Sequence, residues 1–202
     1  MHTYMVAAQA DARIVNAFFD LAGRRGIDGT TTREVARVAG LNEVTVFRRF
    51  GDKAALTREA LRRLMPAGLI EAYPAEVDAS TPERAAAGLV GCLRFLRDLL
   101  QDRPEVLGFA LVEGLRHPEL AAEIAPTPRA AKALLERAIL TAAPQLRPEV
   151  DATAAVLSLQ GLVFMTGLWH QTGLVTLPEA EWDGLLAAAV RPLIAWSEGG
   201  GQ

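Results

Sequence analysis

The sequence predicts an all-α fold, and three observations carry that reading. Nowhere do Val, Ile and Thr alternate with polar residues over the length of a strand. Apolar residues recur instead at helical spacing between Gly and Pro punctuation, which cuts the chain into about nine helical pieces. Several pieces also open on Ser, Thr, Asn or Asp, where a helix needs an acceptor for its free N–H groups. The chain has 202 residues, half of them hydrophobic and 22% charged. That is enough apolar material for a real core, so a disordered chain is not expected.

The first helix is expected from about Asp11 to Arg25, with Ile14, Phe18 and Leu21 on one face, Ala17 beside them and Gly26 at its end. Thr31 then caps a short helix, and Glu34 three residues later completes a capping box. Val35, Ala36 and Ala39 point inward, and Gly40 is placed for the left-handed turn that follows. Asn42 caps a third helix, Glu43–Phe50, with Val46 and Phe50 facing the core. Asp52 caps a fourth, which reaches about Met65 before Pro66 stops it.

Beyond Pro66 the helices lengthen. Ser80 or Thr81 caps one that runs to about Asp102, with Pro82 near its first turn and Glu83 completing S-x-x-E. The next runs from Pro104 to about Ile124, broken near His117–Pro118. "PTPRAAKALLERAILTAAP" is another, ending before Pro144. Asp151–Thr172 and Pro178–Ser197 are the last two, and "SEGGGQ" reads as a frayed tail. The stretch Ala152–Trp169 carries no charge, which is the lower edge of a membrane span. Ser158, Gln160 and Thr166 interrupt it and no basic cluster flanks it, so a helix packed among other helices is expected.

Charge is divided unevenly. The net charge is −3, yet residues 1–65 carry eleven Lys/Arg against seven Asp/Glu, a balance of +4, and the remainder stands at −7. A basic front and an acidic back imply two tasks, with a polyanion as partner for the front. The single cysteine, Cys92, lies in an apolar run and reads as a buried, inert thiol, which fits a reducing cytoplasm. No secretory signal is evident at the N-terminus. No Ser/His/Asp spacing, Gly-rich phosphate loop or Cys/His cluster appears, so neither an enzyme, nor a cofactor, nor a metal is expected.

The two short helices joined by Ala39-Gly40-Leu41-Asn42 form a helix-turn-helix. So brief a turn makes the second helix cross the first steeply, and its outer face protrudes at a width that suits the major groove of DNA. With Val46 and Phe50 inward, Glu43, Thr45, Arg48 and Arg49 point outward or sideways. The arginines can fork onto phosphate or guanine, Thr45 can bond a phosphate oxygen, and Lys53 stands one turn further on.

These residues resemble the DNA-binding domain of TetR-family transcriptional regulators. "IVNAFFDLAGRRGIDGTT" is similar to the family's first helix and its ending. "TTREVARVAGLNEVTVFRRFGDKAAL" resembles the pattern T-x-x-I/V-A-x-x-A-G-V/L-S-x-x-T/A-L/I/V-Y-x-H/Y-F-x-S/N-K-x-x-L. The match spans residues 11–57. There are departures: Phe47 replaces the usual Tyr and removes a phosphate-bonding hydroxyl, and Arg49 replaces the usual His or Tyr and adds a cation. Asn42 replaces the common Ser cap, and Val44 stands where Gly is frequent. The resemblance implies that Thr31, Thr32, Thr45, Phe47, Arg49 and Lys53 position the DNA backbone, Phe47 by packing alone. Arg33, Glu43, Val44 and Arg48 are then candidates for reading bases, with a solvated charge as the alternative for Arg33 and a helix-end charge as the alternative for Glu43. Arg24, Arg25, Arg62 and Arg63 read as solvated surface.

The resemblance divides the chain into a helix-turn-helix domain, 1–56, and a helical ligand-binding and dimerisation domain, 57–202. It implies a cytoplasmic homodimer on double-stranded DNA with a palindromic operator, most simply a repressor released by a small-molecule effector, and no membrane partner. The alternative is the same fold controlled by a partner or by abundance. Candidate interface residues on the last two helices are Ala154, Gly161, Gly167, Leu185, Leu186, Val190, Leu193 and Trp196. Candidate ligand contacts are Phe95, Phe109, Glu113, Arg116, His117, Phe164, Trp169 and His170, each aromatic having plain core as its alternative. Glu113 and His117 stand four apart, but two ligands are too few for a metal site.

Overall fold

The computed structural model describes residues 2–102 and 104–196. Its helices in chain order are α1 (His2–Arg25), α2 (Thr32–Ala39), α3 (Glu43–Phe50), α4 (Lys53–Leu64), α5 (Ala67–Ala72), α6 (Pro82–Gln101), α7 (Pro104–Arg116), α8 (Ala121–Ile124), α9 (Pro126–Ala142), α10 (Ala152–Gln171) and α11 (Glu179–Val190). Short 3-10 turns follow α7, α9 and α11. Among the described residues no strand forms; the one β-like feature is an isolated antiparallel bridge between Leu146 and Ile194. The fold is therefore all-α, as its patterning predicts. The expectation for the tail "SEGGGQ" lies outside the described residues.

Several boundaries differ from the sequence reading. Helix α1 begins at His2, not at Asp11, because no Gly or Pro precedes Asp11 to end it. Of the two candidate caps, Thr81 starts α6: its hydroxyl accepts the N–H of Arg84, so the predicted S-x-x-E box does not form and Glu83 falls one position short. Helix α5 is too short to show a period, whereas α7 and α8 are the two pieces of Pro104–Ile124 on either side of the predicted break at His117–Pro118. The apolar helix α10 is not wrapped on all sides. It buries Ala155, Val156, Leu159, Val163, Thr166 and Gly167, while Leu157, Met165 and Trp169 stand 53%, 40% and 43% exposed. It is long and apolar enough to cross a membrane, with a mean hydropathy of 1.5, yet its buried face packs on α6 and α9.

The chain divides into two compact units. The first comprises residues 1–65 and 108–125, the second residues 66–107 and 126–202. In the first, Ile14, Val15, Phe18, Phe19 and Ala22 of α1 share a core with Val35, Ala36, Val46, Leu56 and Leu61. Phe19 meets Phe109 edge to face, with ring centroids 5.0 Å apart. In the second unit α6, α9, α10 and α11 enclose Leu89, Leu93, Leu134, Leu135, Val156, Leu159, Leu186 and Val190. Cys92 is buried there, and burial pushes its thiol up to about 11. Arg97 of α6 is buried too, and its guanidinium meets Asp98 at 2.6 Å and Glu179 of α11 at 2.8 Å.

Candidate nucleic-acid interface

The first unit builds the helix-turn-helix from its caps. Thr31 stands in extended backbone, its hydroxyl accepts the N–H of Glu34 at 3.2 Å, and the Glu34 carboxylate returns to the Thr31 N–H at 3.4 Å. This is the capping box that the sequence predicts, and Arg25 braces it with a 2.7 Å ion pair to Glu34. Those bonds hold the Glu34 carboxyl below its ordinary range, the Thr31 hydroxyl contributing most. Helix α2 ends at Gly40, which is left-handed at φ 64°. Arg13 of α1 reaches over this turn and donates to the carbonyls of Ala39 and, at 3.3 Å, Gly40. Asn42 then starts α3 by accepting the N–H of Val44 at 2.9 Å.

The outer face of α3 is formed by Val44, Phe47 and Arg48, at positions i, i+3 and i+4 of one helix surface. Val44 is 69% exposed and Phe47 49%, although both are large apolar residues. Exposed apolar side chains beside a cation suit a groove floor, where methyl groups and base edges alternate. Arg33 and Thr31 are exposed at the start of α2, and Thr45 is half-buried with Val46 beneath it in the core. Phe50 is half-buried.

Thr32, Glu43, Arg49 and Lys53 are also engaged inside the unit. Glu43 accepts a 2.9 Å hydrogen bond from the Thr32 hydroxyl, which ties α2 to α3. Arg49 donates to Asp11 of α1 at 2.6 Å. Lys53 donates to the carbonyl of Asp28 at 3.3 Å. Of the arginines read as solvated, Arg62 and Arg63 pair with Glu59, and Arg63 also lies 3.8 Å from Asp11. Asp11 and Arg13 were missed by the sequence reading. Their partners lie 38 and 26 residues away, and no local spacing signals such a pairing.

The eight candidate ligand contacts fall in two units. In the first, Phe109 packs on Phe19, and the buried Glu113 accepts the N–H of Ile27 at 2.9 Å. His117 lies 3.5 Å from Glu113, 3.6 Å from Asp28 and 3.2 Å from Glu119, and Arg116 is exposed at 3.6 Å from Glu113. In the second unit Phe95 stacks on Tyr73 at 3.9 Å. His170 accepts the N–H of Leu177 and faces Trp182 at 6.1 Å, Phe164 is half-buried and Trp169 is exposed. A groove of about 520 Å³ in that unit runs between α6 and the end of α11, past Ala86, Ala87, Val90, Arg94, Ala187, Val190, Arg191 and Trp196. None of the eight lines it.

The candidate dimer residues also separate. Ala154, Gly161 and Trp196 are exposed, and Leu185 and Leu193 are half-buried. Leu186 and Val190 are consumed by the unit's own core at 0% and 1% exposure, and Gly167 is buried, a Cβ there standing 3.5 Å from Leu100 Cδ1. These three are packed inside the unit.

Residues 14–60 match the family model of bacterial regulatory proteins, tetR family. No curated protein matches the chain. Among solved structures, similarity extends over nearly the whole chain. NalD, the secondary repressor of the MexAB-OprM multidrug efflux pump in Pseudomonas aeruginosa, superposes with a TM-score of 0.72 at 22% identity, over 93% of this chain and 98% of its own. A Mesorhizobium loti protein assigned to the TetR-family regulators gives 0.67 at 24% identity, over 91% and 94%. HlyIIR, a hemolysin II transcriptional regulator, gives 0.66 at 16% identity, over 94% and 99%. At these identities the structures speak for the fold, while the family model speaks for the DNA-binding region. Together they give residues 14–60 the DNA-binding region of the tetR family and the chain as a whole the fold of these solved regulators.

Proposed function

We propose that the chain acts in the cytoplasm as a homodimeric repressor, holding a palindromic operator through 1–56 and releasing it when a small molecule binds within 57–202. The observation that carries the DNA half is the outward face of α3, where Val44, Phe47 and Arg48 are presented to solvent by a helix capped at Asn42 and anchored at Val46. Large apolar side chains are not left on a short, well-anchored helix without cost, and a groove floor would cover them.

Support for the dimer comes from α10. Leu157, Gly161, Met165 and Trp169 follow one another at four-residue spacing, all exposed, and a second copy would cover them around a two-fold axis. A two-fold protein reads a two-fold operator. One observation favours the alternative without an inducer: Phe95 and Phe109, named as ligand contacts, already have aromatic partners in Tyr73 and Phe19.

The test is selection of a duplex from a random-sequence library by the wild-type chain, followed by footprinting with and without a metabolite panel. The reading expects an inverted repeat, protected by a dimer and released by one compound class. An asymmetric site bound by a monomer would defeat it, and protection indifferent to every compound would leave the alternative standing.

A further inference from the structure

We infer that Asp11 is a positioning residue of the DNA interface, one that holds Arg49 against α1 and keeps its charge out of the phosphate-binding surface. The inference rests on the α2–α3 face being that surface.

One carboxylate faces two cations from two other helices. Asp11 Oδ1 accepts from Arg49 Nη1 of α3 at 2.6 Å, and Asp11 Oδ2 lies 3.8 Å from Arg63 Nη2 of α4. Helices α1, α3 and α4 are thereby joined at one point. Both members of the main pair are largely withdrawn from water, the Asp11 side chain 26% exposed and that of Arg49 22%. Their attraction is screened less than that of a surface pair. Arg48, the next residue, is exposed. Two adjacent arginines at the end of the recognition helix therefore have opposite settings, one outward and one turned back onto a carboxylate.

The consequence concerns selectivity. Free cations near the groove bind any phosphate, so each adds sequence-independent affinity. A carboxylate on Arg49 removes one such contribution and also sets the angle at which α3 leaves the unit. Asp11→Asn deletes the negative charge with little change in shape, whereas Asp11→Glu keeps it.

The experiment measures binding of the full chain to a random-sequence duplex and to the duplex enriched by the wild type, from about 50 to about 200 mM salt. Asp11→Asn is expected to steepen the slope of log K against log salt on random duplex by about 0.9, one extra phosphate contact. It should also shrink the ratio of selected to random affinity. Asp11→Glu should behave as wild type, and Arg49→Gln should leave the slope where it was. Either an unchanged slope in Asp11→Asn or a slope lowered by about 0.9 in Arg49→Gln would overturn the inference, since Arg49 would then reach phosphate itself. Where Asp11→Asn melts below the assay temperature, the Arg49→Gln slope decides alone. A wild type that binds neither duplex defeats the DNA reading and this inference with it, a result separate from any difference among variants.

Discussion

The hydroxyl of Thr32, the first residue of α2, donates to the carboxylate of Glu43, the first residue of α3, across 2.9 Å. This bond spans the turn and fixes the crossing of the two helices where they begin. Glu43 also lies in the first turn of α3, where a negative charge complements the helix dipole. Its carboxylate therefore has two local reasons to sit where it does, before any base is considered.

If that bond sets the crossing, Thr32→Val and Glu43→Gln should act alike. Each is expected to cost about 1.5 kcal/mol in urea denaturation, the low end for a charged acceptor because Glu43 is only half-buried. The double variant should cost little more than either single one. Base preference at the selected site should move equally in both. A preference altered by Glu43→Gln alone would make Glu43 a reader of sequence instead.

Gly40 is held by two constraints at once. Its φ of 64° disfavours any side chain, and a Cβ there would stand 2.6 Å from Arg13 Nη2. Gly40→Ala should therefore cost about 2 kcal/mol, part backbone strain and part loss of the Arg13 bonds to the end of α2. In an Arg13→Ala background those bonds are already gone, so the same change should cost only about 1 kcal/mol. Equal costs in both backgrounds would show that Arg13 yields freely.

What the sequence made legible, and what it hid, follows from distance along the chain. Thr31 with Glu34, Asn42 with Val44 and Asp52 with Ala55 are bonds over two or three residues, and each stands as its spacing predicts. Pairings over tens of residues leave no such trace. Arg49 reads as an outward cation until α1 is folded beside it and Asp11 arrives. Glu113 reads as a pocket residue until the Ile27 N–H is seen against it, 86 residues away. In α11 and the 3-10 turn after it, Leu185, Leu186, Val190 and Leu193 make one apolar stripe in sequence, and only packing shows that Leu186 and Val190 belong to the core. A helical period reports that a face is apolar, not what covers it.

The capping box at Thr31 carries a pH signature. Glu34 titrates below its ordinary value of 4.5 in the folded chain, chiefly through the Thr31 hydroxyl and then Arg25. A depressed carboxyl contributes stability that is complete above about 4.5 and fades as pH falls through the folded value. Thr31→Val should raise the Glu34 titration toward 4.5, read by carboxyl NMR, and flatten the acid side of the stability profile. An unshifted Glu34 resonance in that variant would assign the depression to Arg25.

Helix α10 separates surface from core by substitution. Leu157 and Met165 lie on its uncovered side, and at Gly161 between them a Cβ would meet nothing within 4 Å. Burying a large apolar side chain contributes about 1.5–3 kcal/mol, and a two-fold axis counts every such residue twice. One arginine placed there puts two charges into an apolar contact. Leu157→Arg and Met165→Arg should thus yield monomers by light scattering with helicity and melting near wild type. Val190→Arg is a different case: at 1% exposure the charge enters the unit's own core, and the chain should lose its cooperative melt whatever its assembly. Dimers that survive both α10 substitutions would move the interface off that stripe, and a Val190→Arg chain that melts normally would mean that α11 does not pack as described.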